Sequence, residues 1–192
     1  MLIAITGKAG AGKDTVGDYL VREHAFKKIA LADPIKRLVK DVFVLDDHTV
    51  YDRTAREKPL KQWKGWSVRK LLQFIGTELF RHNIDDETWV KSLWFRIVKD
   101  KKSNYVVADL RFPNELAFFK KNAKKNFVCF KVVRPGFDGN VGLKGHASEA
   151  HDLKGDYEIV NDGSKDELYD KVRKILDSKV NGSSRYRVKR AK

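Results

Sequence analysis

Residues 2–15 constrain this chain more than any other stretch. An apolar run, LIAIT at 2–6, leads into Gly7-Lys8-Ala9-Gly10-Ala11-Gly12-Lys13-Asp14-Thr15, and Val16, Tyr19 and Leu20 then recur at helical spacing. The order reads as buried strand, glycine loop and amphipathic helix. A G-x-x-x-x-G-K loop between a strand and a helix lets backbone N–H groups curl around an anion, because the glycines place no Cβ in the way. The following helix adds a partial positive charge of roughly half a unit at its N-terminus. Lys13 can then reach the outer phosphates of a bound triphosphate. The competing reading is a glycine-rich turn that happens to precede a lysine. The motif also departs from its usual form: Asp14 stands where Ser or Thr normally follows the lysine, and Thr15 comes one place later. Either Thr15 supplies the hydroxyl for Mg²⁺, or Asp14 acts on the metal through water.

The rest of the chain alternates strands and helices. Residues 28–32 read as a second strand, and Asp33-Pro34 as the start of a helix carrying Ile35, Leu38, Val39 and Val42. Residues 46–66 are polar and loop-like. Ser67 caps a helix with Val68, Leu71, Leu72, Ile75 and Leu79, and Asp85 or Asp86 caps another bearing Trp89, Val90, Leu93, Trp94 and Ile97. Strands follow at 105–110, 127–133 and 157–160, with helices at 114–125 and from Ser164. Residues 134–156 hold five glycines and read as a lid-like loop. The expectation is an α/β P-loop NTPase fold: a mostly parallel sheet of about five strands, helices on both faces, and a helical insertion over 46–100. One domain over 1–180 and a flexible basic tail over 181–192 complete the organisation. Ligands of such sheets bind outside the carboxyl ends of the strands.

Charge and cysteine content narrow the setting. A formal charge of +14 favours anionic partners without choosing among nucleotides, nucleic acid and phosphorylated metabolites. Part of it lies in the tail, whose Arg185, Arg187, Lys189, Arg190 and Lys192 read as a solvated end before a nucleic-acid arm. Cys129 is the sole cysteine, inside an apolar run, so it reads as a buried structural thiol in a reducing compartment. The five histidines and one cysteine show no zinc-ligand spacing. Residues 1–5 are too short an apolar run for a signal peptide, and no run suits a bilayer span. A soluble, cytoplasmic protein is expected.

Three segments bear on what receives the phosphate. Arg69, Gln73 and Gly76 share one helix face: a guanidinium for a phosphate, an amide for a base edge, and a gap for a ring. From periodicity alone, an ordinary amphipathic helix with solvent-facing Arg and Gln is the simpler reading. Asp109-Leu110-Arg111 closes the third long strand, where the acid can organise Mg²⁺ and Arg111 can clamp phosphate; a structural ion pair fits equally well. Arg134-Pro135-Gly136 and His146-Ala147-Ser148-Glu149 lie in the glycine-rich stretch that can close over a site. His146 reads first as a loop hydrogen-bonder.

Taken together, GKAGAGKDT, LADPIK at 31–36, WSVRKLLQFIGTEL at 66–79, Trp89-Val90-Lys91, VVADLR at 106–111, VVRPG at 132–136, HASEA at 146–150 and VNDGSKDEL at 160–168 resemble the bacteriophage deoxynucleoside monophosphate kinase family. The replacement of the motif Ser by Asp14 also looks like this family. The resemblance implies transfer from ATP, with Mg²⁺, to a deoxynucleoside monophosphate (dNMP). It places Lys13 and the loop amides on ATP, with Asn161 to Gly163 beside the adenine. It places Lys36, Arg69, Gln73, Gly76, Thr77, Trp89, Arg111 and Glu149 around the monophosphate. Arg134 stands near the transferring phosphate or the adenine, and Asp14, Thr15 and Asp109 near the metal. Lys13, Asp109, Arg111 and Arg134 form the implied catalytic set. The region between 45 and 66 looks shorter than in some members, which leaves base preference open. Rival readings are a P-loop kinase for another small phosphate ester, of the dephospho-coenzyme A or phosphomevalonate type, and a nucleic-acid-binding P-loop ATPase. No membrane partner is expected, nucleic acid is not the favoured one, and a homodimer is left open.

Overall fold

The computed structural model describes residues 1–100, 102–136 and 152–182, with side chains as far as Ser178. The chain divides into two compact units: Met1–Ala30 with the residues from Ile97 onward, and Leu31–Arg96. The second begins before residue 46, because the helix opened by Asp33-Pro34 belongs to it.

The first unit is built on five parallel strands: β1 (Leu2–Thr6), β2 (Phe26–Ile29), β3 (Asn104–Val107), β4 (Phe127–Val133) and β5 (Tyr157–Val160). Their order is β2-β3-β1-β4-β5. All five residues of β1 are buried, as suits the central strand of a sheet covered on both faces. Ile3 and Ile5 of β1 and Val128, Phe130 and Val132 of β4 form one cluster with Val16, Tyr19 and Leu20 of α1 (Lys13–His24) and Leu168, Val172 and Leu176 of α7 (Lys165–Gly182). Strand alternation turns Phe127 and Cys129 to the opposite face, where Phe119 of α6 (Pro113–Ala123) stacks on Phe127 at 5.8 Å. Cys129 is fully buried and burial pushes its thiol up to about 12, so it is an inert core residue.

The second unit is helical: α2 (Asp33–Val42), α3 (Asp47–Tyr51), a single 3₁₀ turn (Ala55–Glu57), α4 (Val68–Gln73), and α5 (Thr88–Lys99), which leads out of it. Its buried side chains include Ile35, Val39, Val50, Val68, Leu71, Ile75, Val90 and Leu93. Ser67 caps α4 by accepting from the Lys70 amide at 3.3 Å. From Phe74 to Arg81 the helix continues with π-helical winding. Among the described residues, no helix is long and apolar enough to cross a membrane.

Several boundaries differ from expectation. The second strand is Phe26–Ile29 rather than 28–32, and the third stops at Val107, before Asp109. The segment read as loop over 46–66 contains α3, started by Asp46, whose carboxylate accepts from the Thr49 amide at 2.6 Å. Helix α7 runs to Gly182, two residues into the expected tail. The remaining tail, most of the lid-like stretch, His146 and Glu149 lie outside the described residues.

Candidate active site

The parallel order sets the site of the first unit. With β1 between β3 and β4, the residues following all three strands emerge at one edge of the sheet. The glycine loop follows β1, Asp109 and Arg111 follow β3, Arg134 follows β4 and Asn161 follows β5.

The loop has the backbone that an anion nest requires. Gly7, Gly10 and Gly12 have φ of 137°, 80° and 107°, in the region that L side chains avoid. A Cβ on Gly7 would stand 2.2 Å from the carbonyl oxygen of Val132, so this glycine is fixed by packing against β4 as well. Gly12, at the N-cap of α1, brings no side chain to cap its first turn. The Lys13 ammonium lies over the loop and donates to the carbonyls of Gly7 at 2.7 Å and Lys8 at 2.8 Å. Ala9 is half-buried and Ala11 buried.

Asp14 and Thr15 open α1, Thr15 half-buried and Asp14 exposed. The Asp14 carboxylate accepts from Lys28 at 2.9 Å, and Lys28 also binds Asp18 at 2.8 Å. Lys28 was not singled out from the sequence, and nothing in its strand marks it. Asp109 is half-buried, and Arg111 and Arg134 are exposed. The turn holding Arg111 is fixed by Glu115, a buried carboxylate that accepts from the amides of Arg111 and Phe112, each at 3.0 Å. Glu115 was also missed, although an acid two places after a proline at a helix start is a legible capping signal. Asn161 donates from Nδ2 to the carbonyl of Ala11 at 2.9 Å, and Gly163 is exposed in the following turn.

The acceptor candidates other than Arg111 and Glu149 belong to the second unit. Arg69 is nearly buried, with 16% of its side chain exposed, and donates to Glu57 at 2.9 Å. Glu57 lay in the stretch read as loop, so no periodicity pointed to it. Lys36 is half-buried with its ammonium 5.4 Å from the centre of the Tyr51 ring. Gln73 is half-buried. Gly76, Thr77 and Trp89 are buried. The gap expected at Gly76 is taken by the δ-methyl of Ile35, 3.0 Å from where a Cβ would stand, and the Trp89 indole donates to the Gly76 carbonyl at 2.8 Å. The Trp89–Gly76 bond ties α5 to the π-wound continuation of the helix that carries Arg69 and Gln73.

The family profile for deoxynucleotide monophosphate kinase matches this chain over residues 1–62 and 43–172. The chain belongs to that family. A provisionally named deoxynucleotide monophosphate kinase of Acanthamoeba polyphaga mimivirus is 31% identical over 93% of this chain and 97% of its own length. The deoxynucleotide monophosphate kinase of Enterobacteria phage T4 is 34% identical over 58% of this chain, a stretch that spans 46% of the phage protein. Among solved structures, a Mycobacterium tuberculosis APS kinase in complex with AMPPNP and APS superposes with a TM-score of 0.52 at 13% identity, covering 92% of this chain and 96% of that one. At that identity the likeness establishes the fold, which is that of the P-loop kinases.

Proposed function

We propose that this chain transfers the γ-phosphate of ATP to a dNMP, giving dNDP and ADP. The observation that carries the reading is the loop of residues 7–13: three glycines of positive φ and a lysine ammonium held by the carbonyls of Gly7 and Lys8, in a member of this family. Lys13 exchanges the two carbonyls for phosphate oxygens when a triphosphate enters, and follows the charge as it moves. The loop amides hold the same phosphates through fixed dipoles, which need no reorganisation during transfer.

The residues near the loop fit Mg²⁺ by chemistry. Thr15 offers a hydroxyl and Asp14 and Asp109 offer carboxylates, an all-oxygen set suited to a hard cation that keeps several waters. Bound Mg²⁺ would neutralise polyphosphate charge. Asp14 is engaged with Lys28, so it acts on the metal through water or after giving up that pair.

On the acceptor side, Lys36 and Arg69 bind the monophosphate and Gln73 meets the base, with Gly76, Thr77 and Trp89 supporting their helix. Arg111 and Arg134 offset repulsion between two anionic substrates. A monophosphate oxygen is already ionised near neutral pH, so no strong general base is needed. Coupled ADP release from ATP, across a panel of dNMPs, ribonucleoside monophosphates and other phosphate esters, tests the reading. We expect release stimulated by dNMPs and lost in a folded Lys13→Ala variant. No stimulation by any dNMP, or near-normal turnover in Lys13→Ala, overturns it.

A further inference from the structure

Asn161 joins two segments 150 residues apart. It follows β5 at the sheet edge, and its own backbone N–H donates to the carbonyl of Val133 at the end of β4, at 2.7 Å. From there its side-chain Nδ2 donates to the carbonyl of Ala11 at 2.9 Å. The amide lies so close to the loop that a Cβ on Gly12 would stand 2.6 Å from Nδ2. Lys171 of α7 braces the turn from behind, donating to the Val160 carbonyl at 2.7 Å and to the Asp162 carboxylate at 2.6 Å.

Fixing the Ala11 carbonyl fixes more than one oxygen. In a trans peptide the C=O and the next N–H point in opposite directions. Holding the Ala11 oxygen towards Asn161 therefore turns the Gly12 N–H away from it. Glycine tolerates both signs of φ, so Gly12 itself does little to stop the peptide from flipping. A flipped peptide would present a carbonyl dipole where a phosphate needs a donor.

We propose that Asn161 is a positioning residue of the phosphate cradle: its amide locks the Ala11–Gly12 peptide with the N–H turned to the polyphosphate, and it does not read the base. The inference rests on the reading of residues 7–13 as the ATP site. It also replaces the expectation that Asn161 acts beside the adenine. A base reader matters for one nucleotide over another, whereas a peptide lock matters equally for every ligand carrying the same phosphates.

The test compares wild type with Asn161→Asp, which keeps the shape but replaces the donor by an oxygen, and Asn161→Ala, which only removes the donor. Affinities for ATP, GTP and inorganic tripolyphosphate are measured beside the thermal midpoint and the KM for dNMP. If Asn161→Asp does not fold, Asn161→Ala carries the comparison. We expect all three ligands to weaken together by about tenfold, with the ATP:GTP ratio and the KM for dNMP within about twofold of wild type. Unchanged tripolyphosphate affinity, with or without a collapsed ATP:GTP ratio, overturns the inference while leaving the ATP site intact. Failure of the wild type to bind any of the three overturns both.

Discussion

The indole N–H of Trp89 donates to the carbonyl of Gly76 at 2.8 Å, inside the helical unit and out of reach of solvent. The acceptor sits in the π-wound stretch Phe74–Arg81, and the Phe80 ring packs on the indole with centroids 4.8 Å apart. A π-helix is an unfavourable winding that persists where surrounding contacts hold it, and often at functional sites. Trp89→Phe replaces the indole by a smaller ring and deletes the donor, so the buried Gly76 carbonyl loses this partner at a cost of about 1–3 kcal/mol. We expect a lower unfolding midpoint in urea and a raised KM for dNMP, with the KM for ATP little changed. A raised KM for ATP alone would detach this bond from the acceptor helix.

Gly7 and Gly136 separate packing from backbone freedom. Both have positive φ, but a Cβ on Gly7 would meet the Val132 carbonyl at 2.2 Å while one on Gly136 would meet nothing within 4 Å. Gly136→Ala should cost only the left-handed penalty, about 1–2 kcal/mol. Gly7→Ala carries that penalty and must also push the loop off β4, so about 3 kcal/mol or more is expected. Chemical denaturation of the two variants measures the difference, and equal losses would show that the loop can shift without cost.

Much of the fold was legible because each strand is punctuated in sequence. The strands at 127–133 and 157–160 fall where the apolar runs begin and end, and Ser67 and Ser164 mark helix starts that the hydrogen bonds bear out. Short-range signals failed where tertiary contacts decide. β3 stops at Val107, its last residue paired with β1 and β2, although ADL continues the apolar pattern, and the chain then turns into a segment whose Arg111 and Phe112 amides are held by Glu115. The helix Asp47–Tyr51 is too short for periodicity, and Asp46 is its one local cue. The loop glycines and Lys13 were readable as a motif, whereas the partners Lys28, Glu57 and Lys171 were not. Each meets its target only after folding, and one charged residue among 40 lysines and arginines and 26 acids carries no distinguishing pattern.

His24 gives the chain a pH-dependent weak point. It ends α1, its ring meets the Tyr19 ring edge-on at 5.3 Å, and among the described residues neither ring nitrogen has a hydrogen-bond partner. Burial holds its imidazole below the usual histidine range, outweighing the pull of Asp177 and Glu23. The unfolded chain therefore binds the proton more readily than the folded one, and stability falls as pH drops through about 6.5 towards the lower folded value. His24→Phe keeps a ring against Tyr19 and removes the titration. Between about pH 7.5 and 5.5 the variant should lose less of its urea midpoint than wild type. An identical loss in both would assign the acid sensitivity to other groups.

The proposed role of Arg69, binding the phosphate of the acceptor, can be separated from a structural one. Its guanidinium is mostly out of water and steered by Glu57, which accepts from Nη1 at 2.9 Å. A guanidinium placed this way is oriented in advance and loses little freedom on meeting a phosphate. Arg69→Ala removes a charge-assisted contact of about 1.5–3 kcal/mol, which corresponds to a rise in KM for dNMP of about tenfold or more. The KM for ATP, whose proposed site is the glycine loop, should stay within about twofold. Arg69→Lys retains the charge without the planar fork and should fall between wild type and Ala. Steady-state kinetics with each substrate varied in turn separates the cases. Equal effects on both KM values would mean that Arg69 supports the fold and does not bind the acceptor, because a general loss of structure does not choose between substrates.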